Sequence, residues 1–233
     1  MLNTTKHARS LTYLKYEFRH FIESMDSFGI LALAGIMAPV VLIMTSMAAT
    51  LSAPSYNFFR DSMSYLELTS AGDIQAIGFI VVGVLLEIFI LGLFLNVRPN
   101  RGFHKGIGLL SIFGFGLLLA GFFRPVPTSV EGTIHLVLAF IVFGIFPVSL
   151  IFMLPSLKSD PNWRGIFPYT LATIFLAMSL DLARLFFPAL LNLFGLYERI
   201  LVANGLVWVE VVAIWLFLLS IRKRQEVKET QFQ

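Results

Sequence analysis

The sequence predicts an all-α membrane protein: a polytopic transmembrane bundle of six helices with an N-terminal amphipathic interfacial helix and a short outer lid segment. The 233 residues are 57% hydrophobic and only 13% charged, with a mean hydropathy of +0.82. Soluble domains average about 25% charged residues. The apolar residues form runs near the ~20 residues that a helix needs to cross a bilayer. These runs lack the alternation of polar and apolar residues that is typical of a transmembrane β-barrel.

Six apolar runs define the predicted spans. They cover residues 28–50, 74–95, 106–123, 133–153, 166–187 and 199–221. A preceding stretch, residues 8–25, combines an apolar stripe with basic residues on its other faces, which is typical of an interfacial helix. The predicted organisation is therefore an interfacial segment at 1–27, a membrane domain at 28–221 and a basic tail at 222–233. We expect the tail to be disordered beyond its first turn.

The third predicted span is rich in small residues. It contains Gly106, Gly108, Gly114, Gly116, Ala120 and Gly121. Small side chains let neighbouring membrane helices approach closely, so this pattern predicts tight helix packing.

Lysine and arginine residues predict the orientation of the spans. Thirteen of the 17 basic residues lie in the two termini and in the loops after the second and fourth spans. The positive-inside rule places these segments in the cytoplasm. We therefore expect a multi-pass protein of the inner (cytoplasmic) cell membrane with both termini cytoplasmic. Four arginines lie instead near the outer face: Arg60, Arg124, Arg184 and Arg199.

Composition argues against several kinds of site. The chain has no cysteine, which excludes disulfides, thiolate metal sites and iron–sulfur clusters. His135 is the only histidine in a predicted span, which disfavours haem and zinc, and no predicted span contains a lysine for retinal. Basic residues at helix ends account for the net charge of +3, so no nucleic-acid partner is expected. We expect neither a cofactor nor a metal.

Ionisable residues from most of the spans fall at one depth near the predicted outer face. They are Arg60, Asp61, Arg124, His135, Asp181, Arg184, Glu198 and Arg199. Charges that border a bilayer are costly and usually face one another or water. We therefore expect an outward-facing polar cavity that binds a ligand, with residues 52–73 as its amphipathic lid and with Arg60 and Asp61 paired inside it.

Two further pairs of ionisable residues leave alternatives open. Asp181 and Arg184 are three residues apart on one helical face, and they form either an internal ion pair or a site for an anionic ligand. Glu87 and Glu210 lie deep within their spans. Each is either a proton-coupling group or a neutral carboxyl that bonds to a neighbouring helix, and the second alternative is the favoured one.

Five short segments carry a resemblance to a known family. They are GIMAPVV in the first span, RDSMSYLEL after it, HLVLAF opening the fourth span, DPNWRGIFPYTLAT before the fifth and GLYERIL entering the sixth. In these segments and their order the chain resembles the bacterial and archaeal domain-of-unknown-function family 998 over nearly its whole length. The resemblance implies a prokaryotic integral membrane protein with the same number of spans.

The polar positions of that family fall on five residues of this chain: Arg60, Asp61, Ser64, His135 and Arg199. The segment FFRPVP departs from the family pattern, because members more often have an acidic residue near its proline. Arg124 in that segment argues against a metal or acid–base role at this corner.

The residues favour a non-enzymatic protein that binds or transports a lipid, or a small amphiphilic or anionic molecule. One alternative is a membrane-embedded lipid hydrolase in which Ser64 attacks, His135 takes its proton and Asp61 or Asp181 orients the imidazole. Ser64 lacks the Gly-x-Ser-x-Gly elbow of many hydrolases, which counts against this alternative. A structural or regulatory subunit is the other alternative. The expected partners are membrane lipids, the ligand and, for a subunit, another protein.

Overall fold

The computed structural model describes residues 27–187 and 192–231. Within them it has six α-helices: α1 (Ser27–Leu51), α2 (Gly72–Asn96), α3 (Phe103–Ala120), α4 (Val130–Ser159), α5 (Phe167–Phe186) and α6 (Phe194–Gln231). A 3-10 helix, Ser64–Leu68, lies between α1 and α2. The described residues contain no strand, and the predicted all-α bundle is confirmed. The predicted interfacial helix at 8–25 lies outside the described residues.

Five of the helices, α1 to α4 and α6, are long and apolar enough to cross a membrane. The apolar part of α5 is shorter: Phe167–Ala183 has 17 residues, or about 26 Å of helix, against a hydrocarbon core of about 30 Å. Asp181 interrupts the apolar sequence just before this stretch ends. The fifth predicted span is therefore a helix, but it is the shortest of the six in apolar length.

Aromatic side chains join three helices at the centre of the bundle. The rings of Phe113 on α3 and Phe146 on α4 have centroids 5.1 Å apart, and Phe146 meets Trp208 of α6 at 5.9 Å. The indole Nε1 of Trp208 donates to Thr170 Oγ1 on α5 at 3.0 Å. Because Trp208 and Thr170 are both fully buried, this hydrogen bond satisfies two polar groups that burial would otherwise leave unpaired.

The small residues of α3 pack as predicted, with one exception. A Cβ atom at Gly106 would lie 2.8 Å from the carbonyl oxygen of Ser149 on α4, and one at Gly116 would lie 2.4 Å from Val142. At Gly108 a Cβ would meet nothing within 4 Å. Gly106 and Gly116 therefore permit the close contact of α3 with α4, whereas Gly108 does not contribute to it.

The end of the bundle opposite the lid is held by Asp160, which follows α4. One carboxylate oxygen accepts from the backbone N–H of Arg98 at 3.0 Å, and the other accepts from that of Asn162 at 2.9 Å. The Asp160 side chain is buried. The family-like segment that begins at Asp160 therefore ties the connection between α2 and α3 to the connection between α4 and α5.

The basic tail differs from its prediction. Helix α6 continues through Gln231, so residues 222–231 are helical, including the part beyond the first turn where disorder was expected. This segment, RKRQEVKETQ, consists mostly of Arg, Lys, Gln and Glu, which have high helix propensity. A helix that is already formed can extend into such a sequence without a new nucleation step.

Candidate functional site

The connection between α1 and α2 lies across the start of α6. The lid was predicted at residues 52–73, but α2 already begins at Gly72, so we call residues 52–71 the lid segment. The backbone N–H groups of Gly195 and Leu196 donate to the carbonyl oxygens of Arg60 (3.2 Å) and Phe59 (3.0 Å). A Cβ at position 195 would lie 2.3 Å from the carbonyl oxygen of Asp61. A glycine is therefore required where the lid segment approaches α6.

Arg199 makes the most contacts in this junction. Its Nη1 donates to the backbone carbonyl oxygens of Phe58 (2.8 Å), Asp61 (3.1 Å) and Gly195 (2.8 Å). Its Nη2 donates to the hydroxyl of Tyr56. The guanidinium carbon also lies 4.1 Å from the centroid of the Phe58 ring, a cation–π contact. Arg199 is thus committed to the lid segment and is not arranged as a ligand-binding cation.

Tyr56 and Glu198 complete the junction. The Tyr56 hydroxyl donates to the backbone carbonyls of Asp61 and Ser62, at 3.1 and 2.9 Å. Partial burial raises the pKa of Tyr56, although the Arg199 guanidinium opposes this shift. Glu198, which is only 8% exposed, accepts a hydrogen bond from the backbone N–H of Met63 through Oε2. The family-like segment GLYERIL therefore binds the lid segment through its glycine, glutamate and arginine.

Two cavities lie beneath the lid segment and share part of their walls. The lid-side groove, about 350 Å³, is bounded by the lid segment, the connection between α3 and α4, and the first turns of α4 and α6. Its polar lining residues are Ser62, Ser64, Thr128, Thr133, His135 and Glu198. The inner pocket, about 60 Å³, is lined mostly by apolar side chains of α1, α2, α3, α4 and α6.

The groove and the inner pocket share five lining residues: Ser64, His135, Ala139, Phe143 and Glu198. A polar region therefore passes directly into an apolar one. A third cavity, of about 420 Å³, lies between α1 and α6. Unlike the groove, it is lined almost entirely by apolar groups.

His135 is buried at the boundary between the groove and the inner pocket. Its Nδ1 lies 2.6 Å from the carbonyl oxygen of Phe123, and a carbonyl can only accept, so Nδ1 carries the proton. Glu67 Oε2 lies 3.8 Å from the same nitrogen, beyond hydrogen-bond distance. His135 therefore connects α4 to the end of α3 and faces a carboxyl group of the lid segment.

Sequence reasoning did not select Glu67 as a candidate. The side chain is fully buried, and neither carboxyl oxygen has a hydrogen-bond partner among the described residues. Burial raises the pKa of Glu67 to about 8, and the charge of Arg124 opposes this rise. Gln75, fully buried in the first turn of α2, also has an unpartnered side-chain amide within the described residues. The signal that could have identified Glu67 was its acidic side chain in an otherwise apolar turn, Tyr-Leu-Glu-Leu.

Arg124 acts as a connection between loops. It forms an ion pair with Asp73 at the start of α2, and its Nη1 donates to the backbone carbonyl of Glu67 at 3.4 Å. Both charged side chains of the pair are substantially exposed, so the ion pair contributes little to stability. Arg124 does not line the groove or the inner pocket.

The predicted pairing of Arg60 with Asp61 inside the cavity is wrong. The Arg60 side chain is exposed, and no ion pair joins it to Asp61 in the described part of the chain. Asp61 Oδ2 instead accepts from the backbone N–H of Asn57 at 2.7 Å. The 3-10 helix begins only at Ser64, so Arg60 and Asp61 precede it.

The remaining candidates are spread over the bundle. Asp181 is half-buried in the last turns of α5, and the side chain of Arg184 lies outside the described part, so their pairing stays a prediction. Glu87 accepts from Ser111 Oγ of α3 at 2.6 Å, the interhelical bond that the favoured alternative expects. Glu87 and Glu210 do not line any of the three cavities. The described residues contain no group of three or more His, Asp or Glu side chains that could hold a metal ion.

Comparison with known proteins identifies a family and no characterised relative. No curated protein matches the chain, and no solved structure matches it. The family model described as a protein of unknown function (DUF998) matches residues 36–215, which is 180 of the 233 residues. The matched region includes every residue of the lid junction and of the groove. The chain therefore belongs to the DUF998 family.

Proposed function

We propose that this membrane protein binds a lipid or a small amphiphile, with the headgroup in the lid-side groove and the apolar part directed into the inner pocket. The observation that carries the proposal is the shared wall between the two cavities: the hydroxyl-bearing groove passes into the apolar pocket at Ser64, His135 and Glu198. Binding sites for small molecules are usually apolar clefts with a few converging polar groups. The groove, at about 350 Å³, is in the usual size range for such sites.

The shape of the groove also suits a ligand that arrives from the membrane. Leu136 and Phe140 line the groove and are more than half exposed on the surface of α4. The groove is therefore open at the side of the bundle, where a hydrocarbon chain can pass between lipid and protein. The inner pocket, about 60 Å³, has room for only a few atoms of that chain.

Binding is better supported than transport. Transport predicts that Glu87 and Glu210 line a path through the bundle, but neither carboxylate lines any of the three cavities. Both the groove and the inner pocket lie beneath the lid segment.

A photoreactive dodecanol that carries a diazirine tests the proposal in nanodiscs of phosphatidylcholine. We expect it to label the inner pocket, near Phe146 or Leu206, as read by peptide mass spectrometry. Ala139→Trp introduces a large side chain in the shared wall, so it should abolish this label. Val137→Trp is the matched control, because Val137 is on the same helix, is exposed and lines neither cavity. Labelling confined to lipid-facing residues, or unchanged by Ala139→Trp, would contradict the proposal.

A lipid hydrolase is the second candidate, because Ser64 and His135 line the same two cavities. Asp61 does not fit the role of the orienting carboxylate, since it caps the backbone N–H of Asn57. Glu67 is the carboxyl group near the imidazole, at 3.8 Å from Nδ1. Nδ1 itself donates to Phe123, so the arrangement supports a positioned histidine more directly than a complete catalytic triad.

A further inference from the structure

The arginines near the predicted outer face suggested a positively charged groove, but no arginine among the described residues lines it. Among the residues that line the groove and the inner pocket, His135 and Glu198 are the ionisable ones, and none is Lys or Arg. Arg60 is exposed, Arg124 pairs with Asp73, and Arg199 is bonded to the lid segment. The groove therefore lacks the fixed positive charge that an anionic headgroup requires.

Glu198 is the acidic group that a ligand would meet. Its side chain lines both cavities and is more than nine-tenths buried. Oε2 accepts from Met63, whereas Oε1 has no hydrogen-bond partner among the described residues. No ion pair joins Glu198 to a cation within the described residues. The charge of the neighbouring Arg199 acts on Glu198 through space, but its guanidinium donates to carbonyl oxygens and Tyr56. A buried carboxylate with one N–H partner is costly unless an opposite charge pairs with it.

We infer that the groove selects an amphiphile with a cationic amine headgroup, for which Glu198 is the counter-ion. This inference rests on the proposed function. An ammonium group offers several N–H donors to the free carboxylate oxygen, in a charge-assisted hydrogen bond. Ser62, Ser64, Thr128 and Thr133 also line the groove, and their hydroxyls can accept hydrogen bonds from the other N–H groups of the ammonium or pair with a hydroxyl of the ligand. The apolar inner pocket accepts the start of the alkyl chain.

Three probes with the same chain and different headgroups test the inference: dodecylamine, dodecanol and dodecanoate. Each competes with the photoreactive dodecanol in phosphatidylcholine nanodiscs, and its concentration is corrected for partition into protein-free nanodiscs. We expect dodecylamine to protect the inner pocket from labelling at a concentration about tenfold lower than dodecanol, with dodecanoate the weakest competitor.

Glu198→Gln should remove the advantage of the amine over dodecanol, so that the two probes protect the inner pocket at similar concentrations. Glutamine keeps an oxygen that can accept from Met63, so the lid junction is preserved in this variant. Glu210→Gln is the matched control, since Glu210 is on the same helix and lines none of the three cavities; it should behave as the wild type.

Two outcomes would overturn the inference. One is dodecanoate competing at least as well as dodecylamine; the other is an amine preference that survives in Glu198→Gln. If specific labelling and protection by dodecanol persist in either case, the proposed amphiphile site stands and only the headgroup class is wrong. If the photoreactive dodecanol never labels the inner pocket, the proposed function itself fails.

Discussion

Arg199 and Tyr56 are joined in two ways: the guanidinium donates a hydrogen bond to the tyrosine hydroxyl, and its carbon atom lies 5.5 Å from the centroid of the ring. The hydroxyl in turn donates to the carbonyl oxygens of Asp61 and Ser62. A cation on the last helix thus fixes the conformation of the first connection through a relay of hydrogen bonds. Arg199 therefore has a structural role at the junction, and its removal should affect the whole lid segment.

Replacing Arg199 should release the lid segment. Arg199→Ala removes all four hydrogen bonds that the guanidinium makes with Phe58, Asp61, Gly195 and Tyr56. We expect a loss of about 2 kcal/mol or more in stability, measured by thermal unfolding in nanodiscs. Hydrogen–deuterium exchange of residues 52–71 should rise at the same time. Arg199→Lys should restore little, because an ammonium cannot reproduce the planar set of donors.

Arg60→Ala is the matched control for this experiment. Arg60 is an exposed arginine of the same junction, and its backbone carbonyl accepts from the N–H of Gly195 on α6. Its removal should change stability by no more than about 0.5 kcal/mol. Equal effects of Arg60→Ala and Arg199→Ala would show that the guanidinium contacts do not hold the lid segment.

Glu67 should make the stability of the protein depend on pH. Its pKa in the folded protein is about 8, above the ordinary value of 4.5, so the folded state binds the proton more tightly than the unfolded state. Stability from this group is therefore complete at low pH and is lost as pH rises from about 5 to about 8. The groups that face it, His135 and Arg124, are unchanged in Glu67→Gln.

Glu67→Gln should flatten this dependence, because glutamine does not ionise. We expect the wild type to lose roughly 1–3 kcal/mol relative to Glu67→Gln between pH 5 and pH 8. Thermal unfolding of both proteins across this pH range measures the difference. Parallel curves for the two proteins would mean that the Glu67 carboxyl is not desolvated.

Two glycines of α3 should respond differently to alanine. Gly106→Ala places a Cβ 2.8 Å from the carbonyl oxygen of Ser149 and 2.6 Å from Met153 Cγ, so α3 and α4 must separate. We expect a destabilisation of about 1–3 kcal/mol, read by thermal unfolding. Gly108→Ala introduces the same atom two residues away, where nothing lies within 4 Å. It should be neutral or slightly stabilising, because alanine favours the helix; a similar loss at both positions would refute this account of the packing.

Ser64 should not react as an activated nucleophile. It begins the 3-10 helix, its Oγ lies 3.1 Å from the hydroxyl of Ser62, and the Asp61 carboxylate accepts from the backbone N–H of Asn57. A fluorophosphonate probe should therefore leave Ser64 unlabelled in the wild type. The total labelling of the wild type should equal that of Ser64→Ala, which lacks the hydroxyl. Labelling of Ser64 that disappears in His135→Ala would favour the hydrolase candidate over a binding protein.

Much of the fold followed from the sequence, because the length and spacing of apolar runs reflect the thickness of a bilayer. All six predicted spans are helices, and their ends differ from the prediction mainly where polar residues continue a helix, as at residues 222–231. Helix propensity allows such an extension, but hydropathy does not report it. The orientation predicted from Lys and Arg stays a prediction.

The site followed from the sequence only in part. Depth along the helices predicted that His135, Glu198 and Arg199 lie near one end, since helical rise is constant. The partners of each group depend on side-chain direction and on the path of the lid segment, and residue spacing does not determine either. The charge pattern therefore suggested that Arg60, Arg124 and Arg199 bind a ligand, whereas Arg199 binds carbonyl oxygens, Arg124 pairs with Asp73 and Arg60 is exposed.

The lid segment also has a consequence for the order of events during synthesis. Its residues 52–71 leave the ribosome long before Gly195, Leu196 and Arg199, on which their conformation depends. Until α6 is inserted, the lid segment lacks these partners, and the groove lacks the wall that Phe194 and Glu198 supply. A nascent chain arrested before residue 194 should therefore expose residues 52–71 to protease, and protection should arise only when the final helix arrives.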